Sequence, residues 1–188
     1  MQQVAKRVTS VREIRVRRAL RAARRAQRGA SLLEAIAYLG IAAIVVIGAV
    51  ALLNGAFSSA GTNELAEQVN AIQAGVKKLY MGQTDGYTGV SNSTLAAAGV
   101  FPSTVPASGT NATNNWGGAV LVTGAAGTFT ISYANVPKAV CINAVSAGGS
   151  WTGITVGTGG TSLTVPVSPA DAQTACATDS NTIVWTSN

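Results

Sequence analysis

The chain has 188 residues, room for one domain and a long extension, and it is 47% hydrophobic but only 11% charged, an apolar balance for a soluble globule. It has no histidine, the commonest general base and metal ligand, and its acids Glu64, Glu67, Asp85, Asp171 and Asp179 are scattered, with no spacing that suits a carboxylate pair or a calcium loop. No Gly-x-Ser-x-Gly element and no phosphate-cradling glycine loop occurs, so the residues argue against an enzyme, and no cofactor or metal is expected.

The net charge of +6 is unevenly placed. Residues 1–29 carry ten Lys/Arg against Glu13, a balance of +9, and residues 30–188 carry Lys77, Lys78 and Lys138 against six acids, a balance of −3. A basic arm for nucleic acid fits the charge but lacks interleaved aromatics, so no direct nucleic-acid binding is expected. A mitochondrial transit peptide fits the arginines but is normally rich in serine. A flank that holds the chain's start in the cytoplasm fits best, because the next segment is apolar and positive charge stays on the cytoplasmic side of a first span.

From Ala35 to Phe57 there are 23 residues without a charge. At about 1.5 Å per residue they reach about 35 Å, enough for a hydrocarbon core of about 30 Å. Glu34 stands at the near end of this run, where a carboxylate in lipid costs several kcal/mol unless it reaches headgroups or finds a partner. Leu65, Val69, Ile72, Val76 and Leu79 then follow at spacings of 4, 3, 4 and 3, the stripe of a one-faced helix. Glu64, Glu67, Gln68, Asn70, Lys77 and Lys78 lie off that stripe and should face water. No proline interrupts residues 32–81, so one long helix over 30–81 is expected, about 35–57 of it spanning a membrane.

Beyond Gly82 the chain turns rich in Gly, Ser, Thr and Asn and holds all five prolines. Asn92 or Ser93 can cap a short helix through Ala98, stopped by Gly99, with a loop to Asn115. Residues 119–123 and 128–133 flank "GAAG" as a hairpin, residues 151–156 and 161–167 flank "GTGG" as a second, and residues 183–187 suit a last strand. Pro137 is placed as the first residue of a helix that carries Cys141 and ends near Gly148, and a further helix over 169–175 leads to Cys176. The fold class is therefore α+β: a long helix against a small antiparallel sheet in a head domain over 82–188. Trp116, Trp151 and Trp185 suit core or interface positions. Asn92 and Asn111 each begin an Asn-x-Thr triplet, a pattern frequent in chains of this composition.

Thirty-four residues lie between Cys141 and Cys176. Both fall in the half that the basic flank would send across the membrane, where a disulfide persists, although two buried thiols fit the residues too. Two cysteines without histidine make only half a zinc shell.

"RG" followed by "ASLLEAIAYLGIAAIVVIG" resembles the class III leader and N-terminal helix of type IV pilins. "YMGQTDGYTGV", "NNWGGAV", "FTISYANVPKAVC" and "VSPADAQTAC" resemble the PilS-like type IVb pilins of conjugative and other thin pili. The resemblance implies a leader over 1–29 cut by a prepilin peptidase between Gly29 and Ala30, methylation of the new amine on Ala30, and a disulfide between Cys141 and Cys176. It further implies a helical homopolymer raised from the inner membrane by an assembly ATPase and a platform protein. Minor pilins, an outer-membrane secretin and a cell-surface receptor are further partners it suggests. The precursor would sit in the inner membrane with its start cytoplasmic and its head periplasmic, and the product would be an extracellular pilus serving conjugation, adhesion or surface attachment. Glu34 becomes the fifth mature residue, able to pair with the amine that cleavage creates on a neighbouring subunit. With no proline in the helix, Gly40, Gly48 and Gly55 are the expected places for it to loosen on assembly.

Other readings remain open in the residues: a type II secretion pseudopilin, a minor pilin, or a single-pass anchored binding protein that never polymerises and recognises its ligand through residues 109–116.

Overall fold

The structure, a computed structural model, describes residues 31–157 and 160–188. The leader residues, Gly29 and Ala30 lie outside the described residues. Contacts divide the chain into an N-terminal unit ending at Leu52 and a second unit, Leu53–Asn188.

Helix α1 runs over Leu32–Tyr80, 49 residues, and crosses the division between the units. Within the second unit its buried residues are Leu65, Gln68, Val69, Ile72 and Val76. Two positions depart from the apolar stripe. Leu79 is 39% exposed, because the helix ends one residue later, at Tyr80. Gln68, expected to face water, is buried because its amide has work to do: Nε2 donates to Glu64 Oε1 at 3.3 Å and to the Thr104 carbonyl at 3.5 Å. Gln73 makes a second tie, donating to Ser187 Oγ at 2.9 Å and to the Ser150 carbonyl at 3.1 Å.

Helix α2 spans Asn92–Ala97, and its N-cap is Ser91, one residue before the expected cap. Ser91 Oγ accepts from the Thr94 amide, and Asn92 is withdrawn from capping because its side chain is used elsewhere. The Pro/Ser/Thr segment expected to be all loop contains a two-strand ladder, β1 (Ala107–Ser108) with β2 (Asn111–Ala112), closed over Gly109 at φ 57. Strands this short leave no periodic signature.

Strands β3 (Val120–Gly124) and β4 (Phe129–Val136) form the first expected hairpin, and β5 (Gly153–Val156) and β6 (Thr161–Leu163) the second. Strand β6 ends at Leu163 rather than Val167, since Pro166 has no amide hydrogen to extend the ladder. Helix α3 spans Lys138–Ser146 with Pro137 as its N-cap in extended conformation, one position earlier than expected. Helix α4, Pro169–Ala175, has Pro169 in its first turn and Ser168 as cap.

The last strand, β7 (Asn181–Ser187), enters the middle of the sheet, giving the order β3-β4-β7-β5-β6 with every pairing antiparallel. Strict alternation of buried and half-buried residues along β7 puts Ile183 and Trp185 in the core with Phe129, Ile131 and Tyr133 of β4. These residues and the α1 stripe make one hydrophobic core, the physical content of the α+β class.

Candidate assembly surfaces

In the N-terminal unit, Leu32 to Leu52 leave their side chains uncovered: Leu32 is 81% exposed, Ile44 73% and Leu52 78%. Helix α1 is long and apolar enough here to cross a membrane, and none of this stretch is covered by the described residues. Water penalises such a surface at about 0.8 kcal/mol per methylene, so its stable surroundings are lipid or other apolar side chains.

Ser31 starts the helix. Its Oγ accepts from the Glu34 amide at 3.2 Å, and the Tyr38 hydroxyl donates to Glu34 Oε1 at 3.5 Å. Ser31-Leu32-Leu33-Glu34 is therefore a Ser-x-x-Glu start signal, legible in the sequence from its spacing alone. Among the described residues Glu34 has no cationic partner, and the amine it was expected to meet lies outside them. Among the described residues, Gly40, Gly48 and Gly55 have nothing within 4 Å of where a Cβ would stand. Gly61, further along the helix, differs: a Cβ there would lie 3.1 Å from the Trp116 ring and 3.4 Å from Val140. Trp116 is thus half-buried over α1, while Trp151 and Trp185 are buried with ring centroids 6.2 Å apart.

In the second unit Cys141 of α3 and Cys176, the C-cap of α4, form a disulfide across a sequence separation of 35, with Cα atoms 5.9 Å apart and both residues fully buried. Ser168 steadies the start of α4: its Oγ accepts from the Asp171 amide at 3.2 Å and donates to Asp171 Oδ2 at 2.7 Å. The bridge fastens the segment that carries β5, β6 and α4 to the helix that follows β4.

Little here suits a small ligand. A crevice of about 30 Å³ lies between Leu65, Val69, Ala144, Trp151 and Trp185, room for about one water. A groove of about 370 Å³ between β6 and α4 is open and lined by Thr161, Ser162, Thr164, Asp171 and Thr174. Among the described residues no three His, Cys, Asp or Glu side chains come together to hold a metal. The geometry offers surfaces rather than a reaction centre.

This fold has counterparts among solved pilins. The type IVb pilin from Salmonella typhi is similar at 26% identity and a TM-score of 0.53, over 65% of this chain and 97% of that one. TcpA, a type IV pilin from the Vibrio cholerae El Tor biotype, matches at 13% identity and a TM-score of 0.49, over 68% of this chain and 99% of that one. No curated protein sequence matches. The class is that of type IV pilin subunits, which are structural proteins and not enzymes. The family model described as PilS N terminal matches residues 59–188, and the chain belongs to that family.

Proposed function

We propose that this chain is the major subunit of a type IVb pilus, made as a precursor and polymerised through α1. The observation that carries this reading is the uncovered apolar surface of Leu32 to Leu52, which membership of a pilin family turns from a liability into a working surface. In the precursor, residues 35–57 lie in the inner membrane, with the basic leader 1–29 in the cytoplasm and the head in the periplasm. A prepilin peptidase cuts between Gly29 and Ala30, and the new amine on Ala30 is methylated. An assembly ATPase and a platform protein then lift the subunit from lipid into a filament, where the apolar surface is buried against copies of itself.

Glu34 gives this transfer its register. The amine released on one subunit meets the carboxylate of Glu34 on the next, and a mismatch would leave a charge in an apolar core at a cost of about 3 to 5 kcal/mol. Gly40, Gly48 and Gly55 let α1 loosen as it packs. The fibre serves conjugation, adhesion or surface attachment, with minor pilins, an outer-membrane secretin and a cell-surface receptor as further partners.

The test is the mass and N-terminal sequence of material sheared from cells. A chain beginning at Ala30, with 188 − 29 = 159 residues and one added methyl group, is expected. An intact Met1 terminus on sheared filaments would refute the processing scheme.

A further inference from the structure

The second unit begins with an uncovered apolar turn of α1, in which Leu53 is 52% exposed and Phe57 70%. Ser58 and Ser59 follow. At Gly61, four residues past Phe57, the Trp116 ring lies against the helix, with Val140 of α3 beside it. Four residues at a rise of about 1.5 Å each put this contact about 6 Å further along α1 than Phe57.

Trp116 is held at that level by its loop rather than by its own burial. Asn114 is buried, and its Oδ1 accepts from the Trp116 amide at 3.0 Å and from the Gly118 amide at 2.9 Å, while its Nδ2 donates to the Ala134 carbonyl at 2.7 Å. Gly117 turns the loop at φ 71. Gly61 admits the ring, since a Cβ there would stand only 3.1 Å from it. The amide bond to Asn114 is the hydrogen bond that Trp116 makes among the described residues, so its indole N–H is left open. Trp151 and Trp185, by contrast, are buried.

We propose that Trp116 is a membrane-interface anchor: in the membrane-anchored precursor its indole lies among the lipid headgroups and fixes how deep the head sits. The headgroup layer on each side of the hydrocarbon core is about 5 to 8 Å thick, so a contact about 6 Å past the last apolar residue of the span falls within it. Tryptophan suits that layer, because its ring favours the apolar side and its N–H the wet side. Lipid charge is not what holds it. Lys138, two residues before Val140, and Glu64, three residues after Gly61, are the charges nearest this contact in sequence, and they offset each other. The anchor rests on the reading of residues 35–57 as the membrane span.

The test reconstitutes the full chain in phosphatidylcholine vesicles whose acyl chains are brominated near the glycerol end. Flotation with the vesicles scores insertion of α1, and quenching of tryptophan fluorescence scores the anchor. With one of the three tryptophans at the interface, emission should fall by about a third relative to unbrominated vesicles. Bromine at the methyl end should quench less than half as much. Trp116→Phe should abolish the quenching while the buried Trp151 and Trp185 keep their blue emission, the sign of a folded head. Adding phosphatidylglycerol should change nothing. A chain that does not float overturns the membrane reading and the anchor with it. A chain that floats unquenched, is quenched as much after Trp116→Phe, or is quenched only with phosphatidylglycerol overturns the anchor alone.

Discussion

Asn92 closes the free edge of β3: the Val122 amide donates to its Oδ1 at 2.8 Å, and its Nδ2 donates to the Val120 carbonyl at 2.7 Å. A third bond runs from Nδ2 to the Thr110 carbonyl at 3.0 Å, so one side chain stands in for a missing strand and ties α2 and the β1–β2 turn to the sheet. Asn92→Ala should strand buried backbone groups and cost about 2 to 4 kcal/mol, read as a lower urea midpoint from tryptophan fluorescence of the detergent-solubilised chain. The same bonds make Asn92 unavailable as a glycan acceptor in the folded head, whatever its Asn-x-Thr triplet suggests.

The Cys141–Cys176 bridge should matter to the head and be indifferent to membrane insertion. Replacing both cysteines by serine should cost about 2 to 5 kcal/mol of head stability. Faster proteolysis of the head at unchanged membrane-associated yield is the expected result, and unchanged protease resistance would count against it.

Tyr133 is buried, and its hydroxyl has no hydrogen-bond partner among the described residues. Burial raises its pKa above the ordinary 10.0, so the folded head holds the proton after the unfolded chain has lost it. The stability tied to that proton is complete below about pH 10 and falls as pH rises beyond it. Tyr133→Phe removes an unsatisfied polar atom and should leave the head as stable or about 1 kcal/mol more so at pH 7. Its advantage should grow between pH 10 and 11, as measured by thermal melts across that range.

Gly48→Ala should be harmless to the isolated chain, since a Cβ there meets nothing within 4 Å and alanine favours a helix by about 1 kcal/mol. Greater helicity in detergent with fewer filaments is expected if loosening of α1 accompanies assembly. Gly40→Ala and Gly55→Ala should behave alike. Normal filament yield from the triple variant would remove these glycines from the mechanism.

Glu34→Ala should keep membrane insertion and leader removal while reducing filament yield at least tenfold. Glu34→Gln separates its two roles: it keeps a polar side chain at the third helical position after Ser31 but cannot neutralise an amine. Assembly by the Gln variant at the native level would assign Glu34 to helix capping alone.

Much of this architecture is written in local pattern. The stripe from Leu65 to Val76 is a helix because its period admits no other element, and the two glycine-centred hairpins appear where short apolar runs flank "GAAG" and "GTGG". Ser31-x-x-Glu34 is equally readable as a helix start, since the cap and the carboxylate stand three residues apart. Gln68 is not legible in this way. A polar residue beside an apolar stripe faces water by default, and only the Thr104 carbonyl, brought alongside by the fold, makes its burial favourable.

By itself the sequence determined the helix, the hairpins, the apolar run with its basic flank, and the resemblance to pilins, because each rests on neighbours a few residues apart or on motifs read in order. Only the tertiary structure decided that β7 lies between β4 and β5 and that Asn92 rather than another strand closes β3. Those depend on pairings between residues as distant as Ile131 and Trp185, where any of several registers would satisfy the same alternation. Simultaneous burial of both hairpins against α1 selects among them.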